Sequence, residues 1–289
     1  LGSLSMGSGV TTGDQNVAIG YATGVSIAAG AFNVLVGNSA GTAITTGTEN
    51  VAIGHQALST ENAHGKNVAV GHTALLTLDA GADAFNVAVG NSAGKLMTTG
   101  VENVLIGGLA GDALTTGSYN IAIGKSALST EDAHGKNIAI GWGTLATLNA
   151  GADAYNIAIG HNSGTYLTTG TENTLIGGLV GDALTTGSGN TAVGYNALST
   201  EDANGKNTAI GRAALNALNA GADAYNTAVG YNAGVDMSTG TVNTIIGGLA
   251  GDALTTGGEN VAVGYDTLSA IDSGSRNTAM GYQALKTLN

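Results

Sequence analysis

Cysteine and proline are both missing from the 289 residues. Without cysteine the chain has no disulfide staples and no thiolate metal sites. Proline cannot donate to a β ladder and survives mainly at edges, strand starts and bulges, so its absence fits a fold in which nearly every strand has neighbours on both sides. Aromatic residues are only 4% of the chain. A core must therefore be built from Val, Ile, Leu and Ala in thin layers, which suits a narrow solenoid. Eight Lys and Arg face twenty Asp and Glu, a formal net charge of -12. With no basic cluster, a phosphate backbone would be repelled, and nucleic acid is not an expected partner. No apolar run reaches the roughly eighteen residues of a membrane-crossing helix, so no membrane insertion is expected within this segment, and no basic-then-apolar leader opens the chain. Because Leu1 is not a translation start and residues 285–289 stop in mid-coil, a processed or excised piece with uncapped ends is expected.

Glycine is abundant, 49 of 289 residues, and hydrophobic residues reach 43% while charged ones are 10%. That balance separates the chain from low-complexity disorder, which pairs glycine with proline and charge. The order is periodic. A pentad of Asn, then Val, Ile or Thr, then Ala, Leu or Ile, then Ile, Val or Met, then Gly begins at Asn16, Asn33, Asn50, Asn67, Asn86, Asn103, Asn120, Asn137, Asn156, Asn173, Asn190, Asn207, Asn226, Asn243, Asn260 and Asn277. Spacings of 17, 17, 17 and 19 residues recur and make a superperiod of 70. The sets run over 16–85, 86–155, 156–225 and 226–289, after a degenerate entry coil at 1–15.

Three β-formers cut off by Gly make a short strand, and a period of 17 fits one turn of a β-solenoid. The expected class is all-β, a parallel β-solenoid of sixteen coils; at about 4.8 Å per coil they would stack over about 75 Å. Numbering each coil from its Asn, position 8 is small, as a tight corner requires. Position 9 is Gly in the first two coils of a set (Gly94, Gly111) and Leu in the last two (Leu128, Leu145). Where position 9 is Gly, position 12 carries an apolar residue such as Met97 or Leu114, so one lumen is filled in two alternating ways. "TTG" segments close many coils with a glycine for a positive φ. The sixteen Asn read as a structural ladder, since an Asn amide bonds backbone locally, tolerates a left-handed turn and stacks on its own kind.

Positions 3 and 4 point to opposite faces of the strand, yet both are always apolar, which calls for a second buried layer. The Ala row at position 3, punctuated by Leu35, Leu105, Leu175 and Ile245, is read as the stripe that another copy of the chain covers under cyclic symmetry.

The strings "NVAIG", "NIAIG" and "NTAVG", each followed by a small residue at position 8, resemble the YadA-like head repeats of trimeric autotransporter adhesins, and also repeats in trimeric phage tail fibres. The resemblance runs from Asn16 to near the end of the chain. It implies a left-handed parallel β-roll, a homotrimer around one axis, exposure on a cell or virion surface, and a role in attachment. The coil is longer than the compact adhesin coil, so its turns should protrude, and neither coiled-coil heptads nor a membrane anchor accompany it.

Candidate chemistry is sparse. The third coil of each set carries "STENAHGK", "STEDAHGK", "STEDANGK" and "SAIDSGSR". Glu131, Asp132 and His134 have the composition of a metal or acid/base group, but the His gives way to Asn204 and the Glu to Ile271, so a solvated loop is the expected reading. Asp83, Asp153 and Asp223 in the 19-residue coils are weak candidates for calcium and better ones for turn formation. No catalytic set, P-loop or zinc spacing appears, so neither an enzyme nor a cofactor is expected. Thr pairs at positions 13 and 14 are lost in half of the coils and make a poor ice lattice. Aromatic residues at position 6, among them Trp142, Tyr195, Tyr231 and Tyr265, are candidates for stacking on sugar rings. The function expected is extracellular attachment to a glycan or host-surface receptor by many weak sites, with a passive spacer or filament subunit as the alternative.

Overall fold

The computed structural model describes Ser5 and residues 12–286. Most of the expected entry coil at 1–15, and residues 287–289 of the mid-coil stop, lie outside the described residues. Two compact units divide the chain, one of Leu1–Trp142 with Gly151–Asp153 and one of Gly143–Ala150 with Ala154–Asn289.

The first unit holds β1 (Val17–Ile19), β2 (Val34–Val36), β3 (Val51–Ile53), β4 (Val68–Val70), β5 (Val87–Val89), β6 (Val104–Ile106), β7 (Ile121–Ile123) and β8 (Ile138–Ile140). The second holds β9 (Ile157–Ile159), β10 (Thr174–Ile176), β11 (Thr191–Val193), β12 (Thr208–Ile210), β13 (Thr227–Val229), β14 (Thr244–Ile246), β15 (Val261–Val263) and β16 (Thr278–Met280). Within each unit, consecutive strands pair in parallel and in register: Val34 lies opposite Val51, and Thr191 opposite Thr208. The chain is a parallel β-solenoid, one three-residue strand per coil, and among the described residues no helix interrupts it.

The faces differ from the expectation for position 3. Its row points into the lumen: Leu35, Ala52, Ala69, Ala88, Leu105 and Ala122 are fully buried within the single chain. The outward face carries positions 2 and 4, with Val17 46% and Ile19 49% exposed. A narrow lumen has room for Ala at most levels, whereas the outer face accepts β-branched bulk. In the first unit both outward strand positions are Val or Ile in all eight strands, while six of the eight in the second substitute Thr at position 2, in β10 to β14 and in β16.

Three features hold one coil to the next. Position 5 is Gly because its φ is near +135° and a Cβ there would collide with backbone one coil on; at Gly124 it would run into the carbonyl of Gly141. Position 1 forms the amide ladder. Asn33 N–H donates to Asn16 Oδ1 at 3.0 Å, and its side-chain Nδ2 donates to Gly47 O at 2.9 Å and to Asn16 Oδ1 at 3.0 Å. The pattern recurs at Asn103 and Asn120, and at Asn173, Asn190 and Asn260 in the second unit. Buried backbone that no strand satisfies is thereby paired.

The third feature is complementary volume, which accounts for the 70-residue superperiod. Position 9 is left-handed whichever residue fills it, with φ 54° at Gly111 and 52° at Leu128. Beside Gly111 stands the Leu105 side chain of position 3: a Cβ on Gly111 would lie 2.8 Å from Leu105 Cδ2 and 2.8 Å from Leu114 Cδ1. Gly94 faces Leu105 in the same way, its Cβ reaching 2.7 Å from Cδ1. In the first coil of the set position 3 is Ala88 and Gly94 leaves room for Leu105 of the next coil; in the third and fourth coils, where position 3 is again Ala, position 9 becomes Leu and fills the same layer, accepting a left-handed backbone that costs about 1–2 kcal/mol.

Leu105→Ala is expected to lower stability by about 2–5 kcal/mol through the cavity it opens. Gly111→Leu alone should also destabilise, by overpacking, yet in the Leu105→Ala background it should recover part of the loss. A double-mutant cycle of denaturant unfolding checks this; strictly additive effects would contradict shared volume.

Candidate functional site

The loops that close the third coil in the first three sets gather acidic and basic side chains, with a histidine in the first two. Position 12 is a lumen position, occupied by apolar residues such as Ile44, Leu78, Leu114 and Leu148, all fully buried. In the third coil the same position is Glu61, Glu131 and Glu201, and these too are fully buried. The solvated-loop reading therefore fails for the glutamates: the coil path delivers their carboxylates inward while their neighbours face solvent. The sequence carries a signal for it, since position 12 is otherwise apolar throughout and Ile271 takes it in the fourth set.

Backbone N–H groups partly satisfy the carboxylates. Glu61 Oε1 accepts from His64 N–H at 3.2 Å and Oε2 from Ala80 N–H at 3.5 Å. Glu131 Oε1 accepts from His134 N–H at 3.2 Å. In the third set Glu201 Oε1 accepts from both N–H and Nδ2 of Asn204, at 3.3 and 3.2 Å, while Oε2 is buried without a partner. Burial is the main cause that lifts Glu61 and Glu201 above the usual glutamate range, against the pull of these donors. His64 Nδ1 stands 4.0 Å and His134 Nδ1 3.6 Å from the glutamate Oε1 of its own set, and both nitrogens are shielded from solvent without a hydrogen bond.

The aspartates of the 19-residue coils act as clasps. Asp83 Oδ1 accepts from Gly65 N–H at 3.2 Å and Oδ2 meets Lys66 Nζ at 2.6 Å. Asp153 with Lys136 and Asp223 with Lys206 repeat the arrangement. The lysine beside each carboxylate holds it below the usual aspartate range. Each of these calcium candidates faces an ammonium in place of an oxygen cage, and ties the longer coil to the loop before it. The Lys66 ammonium also lies 5.1 Å from the Phe85 ring, and Lys206 5.2 Å from that of Tyr225.

Position 6 forms an exposed row in each unit. Trp142, in the first, is about half exposed, as are Tyr195, Tyr231 and Tyr265 in the second. The second row is closed upon itself. The Arg212 guanidinium sits 6.0 Å from the Tyr195 ring and 5.6 Å from that of Tyr231, and Tyr265 stacks on Tyr282 at 5.8 Å with planes 11° apart. On their other sides Tyr195 packs over Gly178 and Tyr265 over Gly248, where a Cβ would find the ring at 3.5 Å in both cases. Edges and hydroxyls, in place of open ring faces, are what Tyr195 and Tyr265 offer a ligand.

Comparison with protein-family models, curated proteins and solved structures finds no match to this chain.

Glu201→Ile, the residue that Ile271 supplies one set later, is expected to stabilise the chain at neutral pH. A carboxyl whose folded pKa is raised contributes stability below its unfolded pKa and loses it as pH rises through the folded value. The gain should therefore be largest near pH 7 and shrink below about pH 4.5, the ordinary glutamate value. Thermal unfolding of both proteins across this range is the check, and a gain independent of pH would contradict it.

Proposed function

We propose that the chain is an extracellular fibrous attachment protein: a repetitive β-solenoid shaft, trimeric through the outward faces of its strands, on a cell or virion surface. The observation that carries this reading is the outward face itself. In the first unit two parallel columns of Val and Ile run side by side on consecutive coils, with Ile53 at 38% and Ile106 at 38% exposure. Soluble proteins seldom leave so continuous an apolar face in water, and closed cyclic symmetry covers it without leaving a sticky edge. The resemblance of the pentads to trimeric adhesin heads supports the same arrangement, with positions 2 and 4, not position 3, as the contact. Recurrence of near-identical polar loops every 70 residues supports multivalent attachment, in which weak sites gain strength from number.

A second reading, a passive spacer or filament subunit, is favoured by one feature. The aromatic row of the second unit is occupied by its own Arg and Gly neighbours and offers few free ring faces.

Sedimentation should give a trimer. Val104→Glu with Ile106→Glu, both on the outward face, should yield a smaller species with its circular dichroism preserved; a wild-type monomer would overturn the oligomer. Binding of the trimer to a glycan array or to intact cells, lost on replacing Tyr195, Tyr231 and Tyr265 with Ala, supports attachment. A trimer that binds neither is a spacer.

A further inference from the structure

The third-coil loops hold a donor set that neither attachment nor spacing uses. Glu61, His64 and Asp79 each place one donor atom within 4.8 Å of the others, and so do Glu131, Asp132 and His134 one set later. The first cluster joins positions 12 and 15 of one coil to position 13 of the next; the second draws all three donors from a single loop. The combination of one imidazole nitrogen with two carboxylates, one of them inside the lumen, recurs 70 residues apart. That mixture of nitrogen and oxygen donors suits a borderline divalent metal such as zinc.

Two comparisons within the molecule argue that the histidines are not hydrogen-bonded to the glutamates. Imidazole-to-carboxylate separations of 4.0 and 3.6 Å are longer than a hydrogen bond, and both Nδ1 atoms are buried and unbonded. An unpaired buried donor or acceptor is costly, and a buried carboxylate doubly so. In the third set, where Asn204 replaces the histidine, the side chain donates directly to Glu201 at 3.2 Å. An amide at this position therefore reaches Oε1 of its glutamate directly, whereas with histidine the ring nitrogen and the carboxylate stand apart around a common point. The fourth set, with Ile271, dispenses with the carboxylate altogether, so coil closure does not require one.

We propose that the Glu61–His64–Asp79 and Glu131–Asp132–His134 clusters bind one divalent transition-metal ion each, with zinc as the fitting class. Each offers three protein donors and an open position for water. Metal–ligand distances of about 2.0–2.2 Å require the donors to close by under about 1.5 Å. Asp79 and Asp132 lie on the exposed side and can supply that movement. The metal would cross-brace the third coil, directly to the fourth in the first set, and this holds whether the chain attaches to a surface or only spaces.

The test titrates ZnCl2 into the full chain by calorimetry, with cobalt(II) absorption as an independent report of coordination. About two ions per chain are expected, with unfolding temperature rising as zinc is added. His64→Asn with His134→Asn copies Asn204 and should fold as the wild type does without metal, while losing both ions or weakening them at least tenfold. Asp79→Asn copies Asn149 and should weaken only the first ion; Asp132→Asn copies Asn62 and should weaken only the second. Should the double histidine variant fail to fold, these two aspartate variants read the same sites separately. No zinc uptake by the wild type, or uptake unchanged in the variants, overturns the proposal; the stacked His55–His72 pair would then be the source of any residual binding.

Discussion

A coil of this molecule exists only because its backbone can turn sharply and still find hydrogen-bond partners, and the Asn amide makes both possible. Its Oδ1 takes the N–H of the next Asn, and its Nδ2 reaches a carbonyl fourteen residues on, as in Asn103 to Gly117 at 2.9 Å. The residue before each Asn is left-handed, even when it is Phe85, Glu102 or Lys136. Such strain persists only where surrounding structure over-determines it. Neighbouring amides do so here, and they are why side chains as different as Phe85 and Lys136 can occupy one backbone shape.

Given that frame, the lumen decides which apolar residues follow. It is thin enough that a single Leu at position 3 displaces the side chain of position 9 in two coils, and its absence calls for Leu there. The longest repeat in the sequence is thus a packing cycle: the coils of a set differ because they share space. Stability in such a stack comes from neighbours, so a fault in one layer is felt mainly by the coils on either side.

Much of this was legible in the sequence. Sixteen pentads in phase point to short strands, a solenoid and a ladder, and the alternation of Gly and Leu at position 9 announces two ways of filling the lumen. The sidedness of the strand was not legible. Three consecutive apolar residues carry no inside or outside, and the small size of Ala at position 3 marks lumen only once the lumen's width is known. The third-coil glutamates were hidden for a related reason: "STEDAHGK" looks hydrated as a string, and only its register against Leu114 and Leu148 places Glu131 among buried positions. The closed aromatic row was equally out of reach, because it depends on Arg212 and Gly178 lying one coil from their tyrosines.

The shared layers have a consequence for how such a gene can change length. Unequal recombination that adds or removes 70 residues joins a fourth coil to a first coil, the same junction already present, and leaves every Leu beside its matching Gly. A slip of 17 residues preserves the strand and the ladder but sets mismatched layers against each other, Leu upon Leu or Gly upon Ala. Copy number is therefore free to drift in quanta of four coils and resisted in smaller steps.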